Sequence, residues 1–331
     1  MSAPMSATAS ASDGRPATAE RILQRLDWHV VRRLDGLLQG DYRSLFYGHG
    51  LDLAEVRPYQ PQDDVRYMDW NVTARMGEPY VRQYLEDREI TGWLLLDLSG
   101  SVDFGTARAH KRDLVVDFAG VMARLLTRHG NRVGALLYSG GVDEVIPARG
   151  GRRQALTIIH QLVRPDRRRS RGPTDLAGVL DRAAQGIRRR SLVFVVSDFI
   201  APPGWEQPLR RLAQRHEVIA VWLHDPREEE LPDVGPLILE DAETGEQLYI
   251  DTHDKKFRAR FAALARERRE RLARTFARCG IDLLPLSTAG DVVGALVRFA
   301  LRRRQLRPAR TGSGAVAPVV GRPVWGEAAG G

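Results

Sequence analysis

The sequence is short of several things, and each shortage narrows what the chain can be. There is one cysteine, Cys279, among 331 residues. A lone thiol forms no internal disulfide and no thiolate metal cluster. Flanked by Phe276 and Ile281, it reads as a buried group acting as a small apolar residue. Lysine is nearly missing, since Lys111, Lys255 and Lys256 are the only lysines among 50 basic residues. The formal charge of +8 is therefore arginine charge. The arginines stand beside acids along much of the chain, which predicts solvated, paired faces rather than a phosphate-binding surface. No run approaches the roughly 18 apolar residues of a membrane helix. The first twenty residues also lack the apolar core of a secretory signal, so a cytoplasmic location is expected. The eight histidines are scattered without the paired spacing of a zinc site. A Walker-type phosphate loop is missing, and so is a His or Lys base paired with a nucleophile.

What is present is enough for a large core, with 43% hydrophobic residues. The sequence divides into a disordered tail over 1–18, a helix with a small subdomain over 19–90, an α/β domain over 91–306 and a second disordered tail over 307–331. Ala19 to Leu38 repeats apolar residues at helical spacing and ends at Gly40. Gly48 to Glu89 is crowded with aromatics and opposed charges, among them Arg57, Tyr59, Asp63, Asp64, Arg66, Tyr67, Asp69 and Trp70. Pro58, Pro61 and Pro79 exclude one long helix there. Short strands and turns pinned by Arg to carboxylate pairs are expected instead.

From Thr91 strands and helices alternate. Strands are expected over Trp93–Leu98, Arg132–Tyr138, Val142–Pro147 (an edge), Ser191–Val196 (central), Glu217–Leu223 and Ile281–Leu284. Helices are expected over Arg108–His129, Arg152–Val163, Leu176–Ile187, Trp205–Arg215, Asp254–Cys279 and Ala289–Arg304. Leu237–Glu240 and Gln247–Ile250 read as a hairpin joined across Thr244-Gly245. The alternation specifies a doubly wound, mostly parallel α/β sheet with helices on both faces.

The chemistry concentrates where the apolar run Leu94-Leu95-Leu96 stops at Asp97, with Ser99 and Ser101 following at alternate positions. In an extended loop alternate side chains point one way, so these three oxygens can converge while Gly100 keeps the turn compact. Thr174 lies before a helix, where it or Asp175 can serve as a cap. Asp198 ends the most apolar β-branched run. In an open α/β sheet these loops share the carboxyl edge. Asp97, Ser99, Ser101, Thr174 and Asp198 make a hard-oxygen donor set of the kind Mg²⁺ takes, with Mn²⁺ an alternative.

These residues resemble a known arrangement. The segment Trp93 to Arg304 is similar to a von Willebrand factor type A domain, whose metal-ion-dependent adhesion site matches Asp97, Ser99, Ser101, Thr174 and Asp198. Gly48-His49-Gly50, Arg57-Pro58-Tyr59, the run Asp63 to Trp70, Thr73-Ala74-Arg75 and Val81-Arg82-Gln83-Tyr84 resemble the signature of the bacterial domain-of-unknown-function-58 family. Gln62, Val102 and Pro173 depart from its usual residues, and none of them is a candidate ligand.

The resemblance implies a partner rather than a reaction. The expected partner is a MoxR-type AAA+ ATPase, for which the chain would act as a soluble, non-enzymatic adaptor toward client proteins. Two other functions compete. A metal-dependent phosphohydrolase would place an acid at strand-end Asp97, but the second acid of a haloacid-dehalogenase-like motif is replaced by Ser99. A nucleic-acid-binding protein would use Arg164–Arg171 and Arg188–Arg190, but no stacking aromatic lies within either run.

Overall fold

The computed structural model describes residues 20–22, 55–61, 63–65, 68–83, 90–106, 108–164 and 173–305. The expected helix beyond Ile22, both tails, the Gly48-His49-Gly50 segment, Arg66, Tyr67 and the Arg run after Arg164 lie outside the described residues.

The first described unit is small. Strands β1 (Glu55–Pro58) and β2 (Tyr80–Gln83) pair antiparallel, with Glu55 opposite Gln83. Between them runs the short helix α1 (Trp70–Met76). Asp69 caps it by accepting from the backbone N–H groups of Asn71 and Val72, and Gly77 ends it in the left-handed region at φ 75°. Arg57 holds the Asp63 carboxylate with two bonds, at 2.6 and 2.8 Å, so the expected Arg to carboxylate pinning is present.

The rest alternates in chain order. Strand β3 (Thr91–Asp97) leads to helix α2 (Lys111–Arg128), strands β4 (Arg132–Tyr138) and β5 (Val142–Arg149), then helices α3 (Arg152–Leu162) and α4 (Leu176–Gly186). Strand β6 (Leu192–Ser197), helix α5 (Glu206–Arg215) and strand β7 (Glu217–His224) follow. A hairpin of β8 (Pro236–Glu240) and β9 (Gln247–Asp251) precedes helix α6 (Lys255–Arg278), strand β10 (Asp282–Ser287) and helix α7 (Val292–Gln305).

Six strands form one sheet in the order β10-β7-β6-β3-β4-β5. Every neighbouring pair is parallel except β4 with β5, so β5 is the antiparallel edge. Its burial alternates along the strand, as an edge with one wet face requires. The central β6 reads Leu-Val-Phe-Val-Val-Ser and is buried at all six positions, because helices cover both faces.

Side-chain alternation along β3 splits the core in two. Leu94 and Leu96 face Leu114, Phe118 and Met122 of α2, Ile158 of α3 and Leu296 of α7. Leu95 faces the other way, with Val193 and Val195 of β6, Leu180 of α4, Leu209 of α5 and Phe276 of α6. Cys279 is only half-buried, against this second layer.

Candidate metal and docking site

The chain leaves β3 for β4 and β5 on one side, then crosses back to β6 and continues outward to β7 and β10. The direction reverses between β3 and β6, the place where open α/β sheets carry their ligand crevice at the carboxyl ends of the strands. Asp97 closes β3, and Ser197 and Asp198 end β6 at the same level, since Leu96 pairs with Val196. Tyr138 is the partner of Asp97 on the other flank.

Asp97 is buried at 1% exposure. Its Oδ1 accepts the Ser99 backbone N–H at 2.9 Å, and its Oδ2 accepts the Ser197 hydroxyl at 2.7 Å. Ser197 in turn accepts the Phe199 N–H at 2.9 Å, which fixes the direction of its proton. Burial first, and then the charge of Asp198, push the Asp97 carboxyl up to about 7. The Tyr138 hydroxyl is buried beside this group and has no hydrogen-bond partner of good geometry among the described residues.

Ser99 Oγ and Ser101 Oγ lie 3.1 Å apart, so the hydroxyls do converge. The means differs from the extended loop that alternate spacing predicts. Gly100–Asp103 is a turn of 3-10 helix, and the turn brings the hydroxyls together. Gly100 also does more than shorten the turn. A Cβ there would stand 2.5 Å from the carbonyl oxygen of Ala242, at the tip of the β8–β9 hairpin.

Thr174 and Asp175 divide their work. The Asp175 side chain accepts from Gly178 N–H and caps α4. Thr174 is buried, and its hydroxyl donates to Glu243 Oε1 at 3.0 Å. Glu243 belongs to the same hairpin tip. Burial, together with the charge of Asp198, holds its carboxyl above the usual range.

Asp198 reaches the crevice with both oxygens engaged. Oδ1 accepts the Ile200 N–H at 3.0 Å, and Oδ2 accepts from Lys111 Nζ at 2.9 Å. Lys111 is fully buried at 0% exposure. It also donates to Glu228 Oε1 at 2.5 Å and to the Ser101 carbonyl at 3.4 Å. Burial works against its charge, but Asp198 and Glu228 outweigh burial and hold its pKa above the ordinary lysine value. The residue after Asp198 is strained, with Phe199 at φ 56°. Its ring is held against Trp205 and Phe276, and Arg268 of α6 donates to the Asp198 carbonyl at 2.9 Å.

The five residues singled out from the sequence thus gather in one crevice. Lys111, Ser197, Glu228 and Glu243 join them without having been singled out. Lys111 alone left a signal, as one of three lysines in an arginine-rich chain at a position on the apolar side of a helix.

The donors are carboxylate and hydroxyl oxygens throughout, which fits a hard divalent cation. Of the four carboxyl groups, Asp198 and Glu228 bond the Lys111 ammonium, while Asp97 and Glu243 lie near enough to Asp198 to feel its charge. Among the described residues no three His, Cys, Asp or Glu side chains form a ready-made metal cage. Hydroxyls would have to complete the shell, with Asp198 acting more through its charge than by direct contact.

Comparison with known proteins adds a family. An uncharacterised protein of Mycobacterium tuberculosis is 43% identical over 283 residues, spanning 86% of this chain and 89% of its own length. Among solved structures, the conserved hypothetical protein BatB from Bacteroides thetaiotaomicron overlaps 65% of this chain and 99% of its own at a TM-score of 0.41 and 10% identity. An aerotolerance-related membrane protein from Bacteroides fragilis overlaps the same shares at 0.42 and 11%. Likenesses this distant add nothing to the strand order already described. Among the described residues no helix is long and apolar enough to cross a membrane. The model of a family described as protein of unknown function DUF58 matches residues 55–271, and with that match the chain belongs to the DUF58 family.

Proposed function

We propose that this chain is a non-catalytic, metal-dependent protein-interaction module. In this reading Asp97, Ser99, Ser101 and Thr174 hold a Mg²⁺ ion, Mn²⁺ serving equally, and Asp198 supports the far side. A carboxylate from a partner protein completes the coordination. The partner is a MoxR-type AAA+ ATPase, as the family resemblance implies, and the chain links it to client proteins in the cytoplasm.

The observation that carries the reading is the convergence of hard oxygens from three separate loops at the reversal of strand order, where open α/β sheets bind ligands. Bound there, the ion would bring positive charge to Asp97, whose neighbour Asp198 is the one bonded to the Lys111 ammonium. Lys111 is unsuited to act as a base in a hydrolytic alternative, because its neighbours keep it protonated. Titration calorimetry with Mg²⁺ and capture of a purified MoxR-type ATPase test the reading together. Asp97→Ala is expected to abolish both. Capture that persists undiminished in EDTA sinks the metal dependence.

A further inference from the structure

The hairpin β8–β9 pairs only with itself. It is tied to the body at its base and at its tip. At the base, Thr252 is buried and gives both its hydroxyl and its backbone N–H to the Gly235 carbonyl, at 2.7 and 2.9 Å. The Val234 N–H donates to Thr252 Oγ1 at 3.0 Å, and Arg258 pairs with Asp233 at 3.0 Å. At the tip, Asp241 Oδ1 accepts the N–H groups of Glu243 and Thr244, each at 2.8 Å, and Gly245 turns the chain at φ 74°. The tip lies on the metal-site loop by two contacts already described. One is the close approach of Ala242 to Gly100, and the other is the bond from Thr174 to Glu243.

These contacts differ in kind from those of a packed core. The base is stapled by buried hydrogen bonds, whereas the tip offers a carboxylate to a site already holding Asp198. Between base and tip, Ile238 and Tyr249 stand opposite one another and are 63% and 70% exposed. A hydroxyl can donate to a carboxylate and still present a lone pair to a cation. Thr174 therefore places Glu243 beside the ion that the proposed function puts there.

We propose that the hairpin is a displaceable plug: Glu243 holds, from within the chain, the place that a partner's carboxylate takes, and the site opens when the tip lifts from the Gly100 loop. This rests on the metal-and-carboxylate reading above. It adds that the acceptor site is closed in the resting protein. A partner gains access only by outcompeting an internal acid for the same cation.

Mn²⁺ is the probe, used on the full chain. Water-proton relaxation counts the exchangeable waters on the bound ion, and amide hydrogen exchange follows residues 236–251. Glu243→Ala is expected to add about one exchangeable water and to weaken Mn²⁺ binding roughly tenfold. It should also speed exchange at the hairpin tip. Gly100→Ala keeps Glu243 but drives a methyl group into the Ala242 carbonyl, so it should speed the same amides. If Glu243→Ala leaves the water count and tip exchange at their wild-type values while Asp97→Asn still loses Mn²⁺, the plug is overturned and the metal reading stands. If the wild-type chain shows no saturable Mn²⁺ binding, both fall.

Discussion

Asp97 and Asp225 occupy comparable places and are treated in opposite ways. Asp97 ends one buried parallel strand and Asp225 directly follows another, both at the carboxyl edge of the sheet, and they are 1% and 0% exposed. Asp225 spends its oxygens on four donors: the Thr106 N–H and hydroxyl at 2.8 and 2.7 Å, the Arg227 N–H at 2.8 Å and the Thr288 hydroxyl at 2.6 Å. Burial alone would raise its pKa, but these bonds from Thr106, Thr288 and Arg227 bring it down to about 2. Asp97 receives two donors and faces Asp198, and is pushed up to about 7. One acid ties loops together and has nothing left to offer, while the other is held short of partners. Hydrogen-bond saturation distinguishes a structural carboxylate from one kept in reserve.

The comparison can be broken in three places. The largest effect is expected at the ammonium that keeps the reserve side tolerable. Lys111→Met leaves the buried Asp198 and the half-buried Glu228 without their cation, and unfolding in urea should show a loss of about 3–5 kcal/mol. A midpoint near that of wild type would mean that the acids simply take up protons. Next, Asp225→Ala strips four donors of their acceptor and should cost about 2–4 kcal/mol by the same measurement.

The smallest effect should reverse sign between the two acids. The folded chain holds the Asp97 proton more tightly than the unfolded chain does. Its contribution to metal-free stability therefore falls as pH rises from about 4 through about 7, and stays lost above. Asp225 behaves the other way. Its stabilisation is present above about 4 and is lost as pH falls toward 2. Asp97→Asn should accordingly flatten the decline between pH 5 and 8, with a gain of about 1–2 kcal/mol at the upper end. Mg²⁺ should stabilise wild type at pH 8 and leave the variant unmoved. A wild-type profile flat across that range would remove the case for a reserved acid.

How much of this is legible in the sequence depends on the range of the interaction. The strands ending at Asp97 and Asp198 announce themselves, because a sheet covered on both faces demands unbroken apolar runs and an acid cannot continue one. The hairpin is equally plain, since Thr244-Gly245 stands between two alternating segments. Its destination is not. Glu243 meets Thr174 across 69 positions of chain, and nothing local marks a turn acid that lands on a buried threonine of another loop. The same holds for Gly100, whose lack of a side chain answers to Ala242 as well as to its own turn. Lys111 was visible by its rarity, but its partners Asp198 and Glu228 come from loops that only the fold brings near.

Helix α6 gives the two halves of the site a common mechanical frame. It runs for 24 residues, about 36 Å at helical rise, and only three residues separate it from the end of the hairpin. Partway along it, Arg268 grips the Asp198 carbonyl, and near its far end Phe276 supports the strained Phe199. The arm that covers the crevice and the brace that aims its second acid are therefore mounted on one rod. The base of the hairpin is bonded to that rod where Arg258 pairs with Asp233. A substitution at the Phe276 end, far from any candidate ligand, would change the fit of the tip by tilting its mounting.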